Sequence, residues 1–339
     1  MFPGILDKIE RFQSKKIMVL GDLILDRYTI GTCDEISTES PTPIIKVMEQ
    51  RYNPGGAGNA AVNLKTLGSN PYLIGIIGDD EEGEKLVQIL EKYGIKNSGI
   101  FYSQNLRTVF KERIMARGQH VVRVDHCDKI ENNQEHYDFL FAQFQQNLDS
   151  VDIVVISDYA KGTLSEELIK NIINKCKDNK KWLIVDPRPK HTLAYRQSSF
   201  ITPNFEEACG MVRKLDPQRL SHSGRSLDEA RIISSILSER LESKIISTLS
   251  ELGMFYCDFA NKCSEHFPTY KREVRDVSGA GDTVVAALAV GLSNDLTISE
   301  AIYFANHAAG VAVEKSGVQP VSLEEAVRDI ILHNTNQKK

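Results

Sequence analysis

The feature that most constrains this chain is a repeated alternation of short apolar segments with amphipathic ones. The apolar segments, rich in β-branched and aliphatic residues, lie at 16–20, 72–77, 151–157, 182–186 and 244–249. Helical segments separate them, with apolar residues three and four positions apart, as at Leu86, Ile89 and Leu90. Apolar strands that alternate with helices form a parallel sheet covered on both faces. The sequence therefore predicts an α/β fold with a mostly parallel central sheet, which binds ligands at the carboxyl ends of its strands.

Two regions break this alternation. Residues 28–47 are extended and rich in Thr, Ile and Pro, and residues 108–124 form two strand-like segments around a turn at Gly118. Neither has a helical segment beside it, so we expect a small β-sheet lid that projects from the main body. Residues 101–126 carry five Lys or Arg residues and two acidic ones. This charge is either a solvated strand face or part of a lid over an anionic substrate.

Composition limits the classes of function. The 339 residues are 26% charged and 41% hydrophobic, which is typical of a globular protein. A formal net charge of −5 provides no basic field for nucleic acid or an anionic membrane. No run reaches the roughly 18 apolar residues of a membrane span, and the N-terminus does not look like a signal peptide. The six cysteines form no CxxC pair, so we expect reduced thiols and a cytoplasmic protein.

The most informative motif is DVSGAGDT at 276–283, which precedes the apolar run VVAALAVGL of a predicted buried helix. The N–H groups of Gly279, Ala280 and Gly281 therefore lie at a helix N-terminus, where they attract an anion. Asp282 falls in the first helical turn, where a carboxylate either caps the helix or accepts a proton from an attacking hydroxyl group. The segment departs from the Walker pattern GxxxxGK[ST]. A base beside an anion hole predicts phosphoryl transfer.

A second glycine cluster, GGAGNAA at 55–61, leads into another apolar helix. Its spacing matches the GxGxxA dinucleotide fingerprint, but polar residues 49–54 precede it where that fingerprint needs a buried strand. We therefore favour the close approach of a polyhydroxyl ligand to the backbone, with Asn59 as both donor and acceptor. A nicotinamide site is the minor alternative.

These motifs carry a resemblance to a known family. GGAGNAA and DVSGAGDT resemble the two signatures of the ribokinase or PfkB family of sugar kinases. Further pieces fall in family order, namely GDLILD at 21–26, NFEE at 204–207 and TLSELG at 248–253. The resemblance covers essentially the whole chain. It implies a ribokinase-like three-layer α/β/α sandwich with a β-sheet lid, as a single kinase domain over residues 1–339.

A narrower resemblance concerns the substrate. The segments at 36–47, 108–113, 119–125 and 158–162 are similar to those of D-glycero-D-manno-heptose 7-phosphate kinases, including the kinase domain of HldE. This similarity implies phosphorylation of that sugar at O1 by ATP, to give the 1,7-bisphosphate for lipopolysaccharide or a related glycan. No HxGH motif of a nucleotidyltransferase domain occurs, so we expect a free-standing kinase.

The resemblance also implies roles for individual residues. Asp282 is the base, and Gly279, Ala280 and Gly281 form the anion hole. The expected substrate-binding residues are Asp22, Asp26, Gly55, Gly56, Asn59, Lys111, Arg113, Arg123 and Lys161. The expected ATP-binding residues are Asn204, Phe205, Glu206, Glu207, Thr248, Ser250, Gly253, Gly279, Gly281 and Asn306.

The family implies Mg²⁺ together with ATP, and Glu207 is expected to organise the ion through water, since Mg²⁺ keeps several of its waters. A monovalent cation such as K⁺ and a homodimer formed through the lid are further expectations. DPRPK at 186–190 departs from the family's usual DPKG, which leaves a role for Arg188 open.

Simpler interpretations stay open for several residues. Asn204 and Glu207 could form only a capping box, Asp22 and Asp26 could solvate strand ends, and Asn306 could serve the core. The histidines at 191, 222, 266 and 307 lack the spacing of a metal site. Alternative functions are another PfkB sugar or sugar-phosphate kinase, a non-catalytic sugar or nucleotide sensor, and a dinucleotide oxidoreductase; a sensor has no need of Asp282.

Overall fold

Strands and helices follow one another along most of the chain. The computed structural model describes residue 2 and residues 4–126, 134–217 and 224–336. Its strands are β1 (Lys16–Gly21), β2 (Leu23–Ile36), β3 (Pro43–Gly56), β4 (Asn70–Gly78), β5 (Ile100–Ser103), β6 (Val109–Ala116), β7 (Gln119–His126), β8 (Ile153–Ser157), β9 (Trp182–Asp186), β10 (Phe200–Ile201), β11 (Lys244–Thr248), β12 (Met254–Asp258) and β13 (Cys263–Phe267). Its α-helices are α1 (Ile5–Ile9), α2 (Ala57–Thr66), α3 (Glu81–Lys92), α4 (Gln134–Asn147), α5 (Glu166–Asp178), α6 (Phe205–Leu215), α7 (Leu227–Leu241), α8 (Ala280–Ser293), α9 (Ile298–Val313) and α10 (Leu323–Asn336).

The larger sheet has nine strands in the order β13-β12-β11-β10-β9-β8-β1-β4-β5. Neighbouring strands from β11 to β5 pair in parallel, whereas β12 pairs antiparallel with both β11 and β13. In the centre, Val19 of β1 is opposite Leu73 on one side and Val155 on the other. The predicted mostly parallel sheet is confirmed.

Helices cover both faces of this sheet. Ile17 and Val19 of β1 pack into a core with α2, α3, α8, α9 and α10, and the alternate residues Met18 and Leu20 pack into a second core with α4, α5, α6 and α7. Successive residues of one strand thus enter different cores, which explains the continuous apolar runs in the sequence. The predicted three-layer α/β/α sandwich is confirmed.

The smaller sheet, which we call the lid, has the strand order β3-β2-β6-β7. Its β2–β3 hairpin runs from Leu23 to Gly56, well beyond the 28–47 predicted from sequence. The extra part was not predicted because most of β3 is exposed and shows no clean alternation of buried and exposed residues. The turn between β6 and β7 lies at Arg117 and Gly118, whose φ angles of 52° and 77° suit a tight hairpin.

The loops that follow the parallel strands lie at one edge of the larger sheet. β1, β8, β9 and β10 end there at Gly21, Ser157, Asp186 and Ile201. β1 and β8 approach so closely that a Cβ on Gly21 would lie 1.9 Å from the Ser157 carbonyl oxygen. The residues that follow these strands therefore lie side by side, and they form the candidate site.

Among the described residues, no helix is both long and apolar enough to cross a bilayer. Cys33, Cys176, Cys209, Cys257 and Cys263 are free thiols. Cys127 lies outside the described residues.

Candidate active site

The N-terminus of α8 is open to the surface and carries Asp282. Gly279 caps it with a φ of 81°, and a Cβ at this position would lie 2.9 Å from Nδ2 of Asn59. The N–H of Ala280 donates to the Val277 carbonyl (3.3 Å) and that of Thr283 to the Gly279 carbonyl (3.1 Å). The N–H of Gly281 lies before the first turn of intrahelical bonds. Gly281 is exposed, and no atom lies within 4 Å of where its Cβ would be. This geometry suits an anion.

Asp282 is buried, and each of its carboxylate oxygens accepts a hydrogen bond. Nδ2 of Asn59 donates to Oδ2 (2.7 Å), and the hydroxyl of Tyr159 donates to Oδ1 (3.0 Å). Burial raises the pKa of Asp282 to about 6, although both hydrogen bonds act to lower it. A carboxylate with a pKa in this range is suited to accept a proton near neutral pH.

Asn59 is itself held in one orientation. Nδ2 of Asn63 donates to the Asn59 side-chain oxygen (3.1 Å), and the hydroxyl of Thr283 donates to the Asn63 side-chain oxygen (3.1 Å). The Asn59 amide nitrogen must therefore point to Asp282. This buried series of hydrogen bonds joins α2 to α8, which lie more than 200 positions apart in the sequence.

Asp22 holds the loop that follows β8. Its carboxylate accepts the backbone N–H groups of Tyr159 (2.8 Å), Lys161 (3.1 Å) and Thr163 (3.0 Å). Burial and the nearby Asp158 raise the pKa of Asp22. Contact between Asp22 and sugar hydroxyls stays a prediction, and the contacts within the protein give this residue a role in shaping the loop.

The lid brings a second set of predicted residues to the same edge. Asp26 of β2 lies beside Lys111 of β6, and Arg113 of β6 donates to the Asp26 carboxylate (2.5 Å). Nζ of Lys111 lies 5.3 Å from the centre of the Tyr159 ring. Burial, together with the charge of Lys161, lowers the pKa of Lys111, against the opposing effect of Asp26. Lys111 and Lys161 are therefore close enough to interact.

The other predicted substrate-binding residues of the lid are two glycines on β3 and Arg123 on β7. Gly55 has no room for a side chain, because a Cβ would lie 2.4 Å from Oδ2 of Asp26, and Gly56 has a φ of 57°. Arg123 of β7 is directly opposite Arg113, but its side chain is 60% exposed and forms an ion pair with Asp125 (2.8 Å). Arg123 is thus the more exposed of the two arginines.

The start of α6 contains the predicted NxxE pair. The Asn204 side chain accepts the N–H of Glu207, and the Glu207 carboxylate accepts the N–H of Asn204, both at 2.9 Å. This is the capping box that the sequence left open. Glu207 also forms an ion pair with Arg188, and Asn204 bridges to Thr248 at the end of β11.

The other predicted ATP-binding residues surround this corner or support it. Oγ of Ser250 accepts a hydrogen bond from Arg225 (3.0 Å), and Gly253, with a φ of +86°, has the Phe267 carbonyl oxygen 2.1 Å from the position of a Cβ. Phe205 is buried and Glu206 is exposed. Nδ2 of Asn306 donates to the Pro268 carbonyl (2.9 Å), so it fastens a loop. Contact of these residues with ATP stays a prediction.

A known protein family matches most of the chain. The family model described as "pfkB family carbohydrate kinase" matches residues 14–326. The chain belongs to the pfkB family of carbohydrate kinases. Among solved structures it resembles phosphofructokinase-2 from Escherichia coli in complex with fructose-6-phosphate (TM-score 0.72, 18% identity, 94% and 99% of the two chains) and Arabidopsis thaliana ribokinase complexed with ribose and ATP (TM-score 0.71, 15% identity, 94% and 99%). At these identities the likeness shows the fold alone.

Curated relatives are more similar in sequence. The bifunctional protein HldE of Aliarcobacter butzleri is 37% identical over 329 residues, which are 95% of this chain and 66% of that protein. HldE of Helicobacter pylori strain G27 is 37% identical over 326 residues, 96% of this chain and 68% of that protein. The chain therefore spans about two thirds of the length of these relatives. The predicted resemblance to the PfkB family and to HldE is confirmed.

In this pfkB-family chain, sequence reasoning missed Tyr159 and Asp186 near Asp282 and left a role for Arg188 open. Tyr159 donates to Asp282, Arg188 lies 4.5 Å from the centre of the Tyr159 ring, and Asp186 is buried nearby with a pKa raised to about 7 by burial and by the charge of Asp282. All three lie at the end of β8 or β9 or within two positions after it. That placement, at the edge where parallel sheets bind ligands, was the signal that could have identified them.

One group of described side chains has the composition of a metal site. Ligand atoms of His307, Asp329 and His333 lie within 4.8 Å of one another. Arg272, however, donates to both Asp329 oxygens (2.8 and 2.6 Å), and Nδ1 of His307 lies 2.6 Å from the same carboxylate. The guanidinium already compensates the carboxylate charge, so we interpret the group as a network that fastens α9 to α10. His222 lies outside the described residues.

Proposed function

We propose that this chain uses ATP to phosphorylate D-glycero-D-manno-heptose 7-phosphate at O1, in the cytoplasm, for the synthesis of nucleotide-activated heptose. The observation that carries the proposal is a buried Asp282 at the open N-terminus of α8, linked through the Tyr159 ring to Lys111 of the lid. The 37% identity to HldE proteins over most of the chain supports heptose 7-phosphate as the acceptor.

The reaction follows from the geometry of α8. Asp282 takes the proton from the O1 hydroxyl, and the O1 electron pair forms a bond with the γ-phosphorus of ATP. The bond between that phosphorus and the β–γ bridging oxygen breaks, and ADP leaves with its electron pair. The N–H groups of Gly279, Ala280 and Gly281 stabilise the negative charge on the transferred phosphoryl group.

ATP and Mg²⁺ are assigned to the corner formed by Asn204, Glu207 and Thr248. Carboxylate and amide oxygens are ligands that suit Mg²⁺, which binds few protein carboxylates and keeps several waters. Both Glu207 oxygens already have partners in the protein, which fits contact through water. When bound, Mg²⁺ would neutralise charge on the ATP phosphates. A structure of E. coli phosphofructokinase-2 contains potassium. We propose that the activity of this chain also depends on K⁺, and replacing KCl with NaCl in the assay tests this proposal.

The decisive experiment is product identification. The protein is incubated with ATP, Mg²⁺ and heptose 7-phosphate, and products are identified by mass and phosphorus NMR. We expect one added phosphoryl group at O1. Transfer to another sugar or sugar phosphate in a parallel panel, without transfer to the heptose, would instead indicate a different pfkB-family kinase. Tight ligand binding without any transfer would indicate a sensor, and binding of a nicotinamide cofactor would indicate an oxidoreductase.

The first prediction concerns the base. Asp282→Asn keeps the size of the side chain but removes the proton acceptor, so kcat should fall by roughly 10²–10⁴, with sugar binding retained. In the unmodified protein, kcat should rise with pH through about 6, because Asp282 must be ionised. Asp79→Asn, at an exposed position, is the control. Near-normal turnover by Asp282→Asn would rule out this role.

The second prediction concerns recognition of the 7-phosphate. Lys111→Ala and Lys161→Ala should each weaken binding of heptose 7-phosphate by roughly 10- to 150-fold, because a charge-assisted bond contributes about 1.5–3 kcal/mol. Binding of unphosphorylated heptose and of ATP should change little. Arg113 already pairs with Asp26, so Arg113→Ala should weaken both sugars. Lys177→Ala on α5 is the control. Equal losses for both sugars in the lysine variants would mean that the phosphate binds elsewhere.

The third prediction separates the two roles of Glu207. Glu207→Gln retains a side chain that can complete the capping box but removes its charge. The melting temperature should therefore remain within a few degrees, whereas the KM for ATP with Mg²⁺ should rise about tenfold. Glu84→Gln, an exposed position on α3, is the control. An unchanged dependence on Mg²⁺ and ATP would leave Glu207 as a capping residue only.

The fourth prediction concerns the homodimer, which we assign to the lid. The lid exposes Ile36 (69%), Val47 (55%), Met48 (76%) and Val122 (47%), and exposed apolar strands tend to pair with another chain. Met48→Glu should shift sedimentation from dimer toward monomer, whereas Leu332→Glu on α10 should not. A wild-type protein that sediments as a monomer at all concentrations would contradict the assignment.

A further inference from the structure

We propose that Tyr159 is a positioning residue for the catalytic base, and that its hydroxyl orients the Asp282 carboxylate and favours its ionised form. The inference rests on the proposed kinase reaction, because only that reaction gives Asp282 the role of base. Tyr159 follows β8, Asp282 lies in the first turn of α8, and the contact joins two layers of the fold.

Tyr159 is fixed from three directions. Its backbone N–H donates to Asp22 (2.8 Å), and its hydroxyl donates to Oδ1 of Asp282 (3.0 Å). Its ring lies between two cations, with the Arg188 guanidinium 4.5 Å and Nζ of Lys111 5.3 Å from the ring centre. Cations near an aromatic face are attracted to it. Because the ring cannot turn without losing these contacts, the hydroxyl has a defined direction.

The Tyr159 hydroxyl stays a hydrogen-bond donor throughout the pH range of an enzyme assay. Burial and the neighbouring Asp282 raise the pKa of Tyr159 well above its ordinary value. The phenol therefore stays protonated, and its hydroxyl acts as a hydrogen-bond donor to Asp282. A hydrogen bond donated to the charged form of a carboxyl group favours that form.

The surrounding groups show why Asp282 needs this donor. Burial and the charge of Asp26 from β2 favour the neutral acid. The charge of Asp282 in turn raises the pKa of Asp186 at the end of β9. Arg188, from the loop after β9, and Asn59, from α2, act in the opposite direction together with Tyr159. Removing one of the two direct donors should shift the balance toward the neutral acid, which cannot accept a proton.

Tyr159 contacts groups that we assign to both ends of the sugar. Its ring lies near Lys111, which we assign to the 7-phosphate, and its hydroxyl donates to Asp282, which we assign as the base. The hydroxyl should accordingly contribute to kcat more than to the KM for either substrate.

The test compares Tyr159→Phe with Tyr72→Phe. Tyr159→Phe keeps the ring and its cation contacts, so the melting temperature should hold, and Tyr72→Phe removes a hydroxyl whose partner is the remote Gln143. We expect Tyr159→Phe to move the acidic limb of the kcat profile up by about one pH unit, to about pH 7, and so to lower kcat about twofold at pH 7 and about tenfold at pH 5. Tyr72→Phe should leave the limb near 6.

A second measurement is independent of the substrate. In protein labelled with ¹³C at aspartate carboxyl groups, the Asp282 resonance is assigned by its absence in Asp282→Asn and titrated in both backgrounds. Tyr159→Phe should raise the titration midpoint by about one unit. An unmoved midpoint in folded Tyr159→Phe would overturn the inference. If wild-type protein fails to phosphorylate heptose 7-phosphate, the proposed function fails, while this titration still decides the role of Tyr159.

Discussion

The pair of hydrogen bonds on the Asp282 carboxylate is the contact on which the rest of the site depends. Asn59 comes from α2, Tyr159 from the loop after β8, and Asp282 from α8. These residues meet only when the parallel sheet, α2 and α8 are all in place. The environment of the proposed base therefore exists only in the folded chain, and it depends on the packing between α2 and α8.

Burying carboxylates at this edge works against folding stability. Asp186 and Asp282 have pKa values raised by burial to about 7 and about 6. A carboxyl group that holds its proton more tightly when folded opposes folding above its unfolded pKa of about 4, and does so increasingly up to its folded pKa. Asp22 offsets part of its own cost with three backbone N–H groups. We interpret the remaining loss of folding stability as the consequence of placing carboxyl groups at the edge of the sheet where ligands bind.

The sequence predicts the elements whose signal is local, and it fails where the determinant lies in the folded chain. β1, β9 and α8 follow from continuous apolar runs, since each is buried on several sides. The part of β3 after residue 47 was missed, because residues 48–51 are exposed and mostly polar and therefore carry no strand pattern. Asp282 was identified because it directly follows the glycines at 279 and 281. The resemblance of the chain to the PfkB family was identified from several motifs in the family's order. Tyr159 was not, because no local pattern shows that its hydroxyl meets a carboxylate 123 positions away.

The function we propose requires a net acidic protein to bind two anionic substrates, and helix N-termini offer positive potential without charged side chains. α6 begins at Phe205, shortly after the parallel strand β10, so its N-terminus lies near the edge of the sheet where the parallel strands end. α8 carries Asp282 in its first turn, and α2 begins at Ala57, whose N–H donates to the Asp22 carbonyl (3.0 Å). Under the proposed function, helix N-termini would serve phosphate binding in general, and Lys111 of the lid would serve selectivity between sugars.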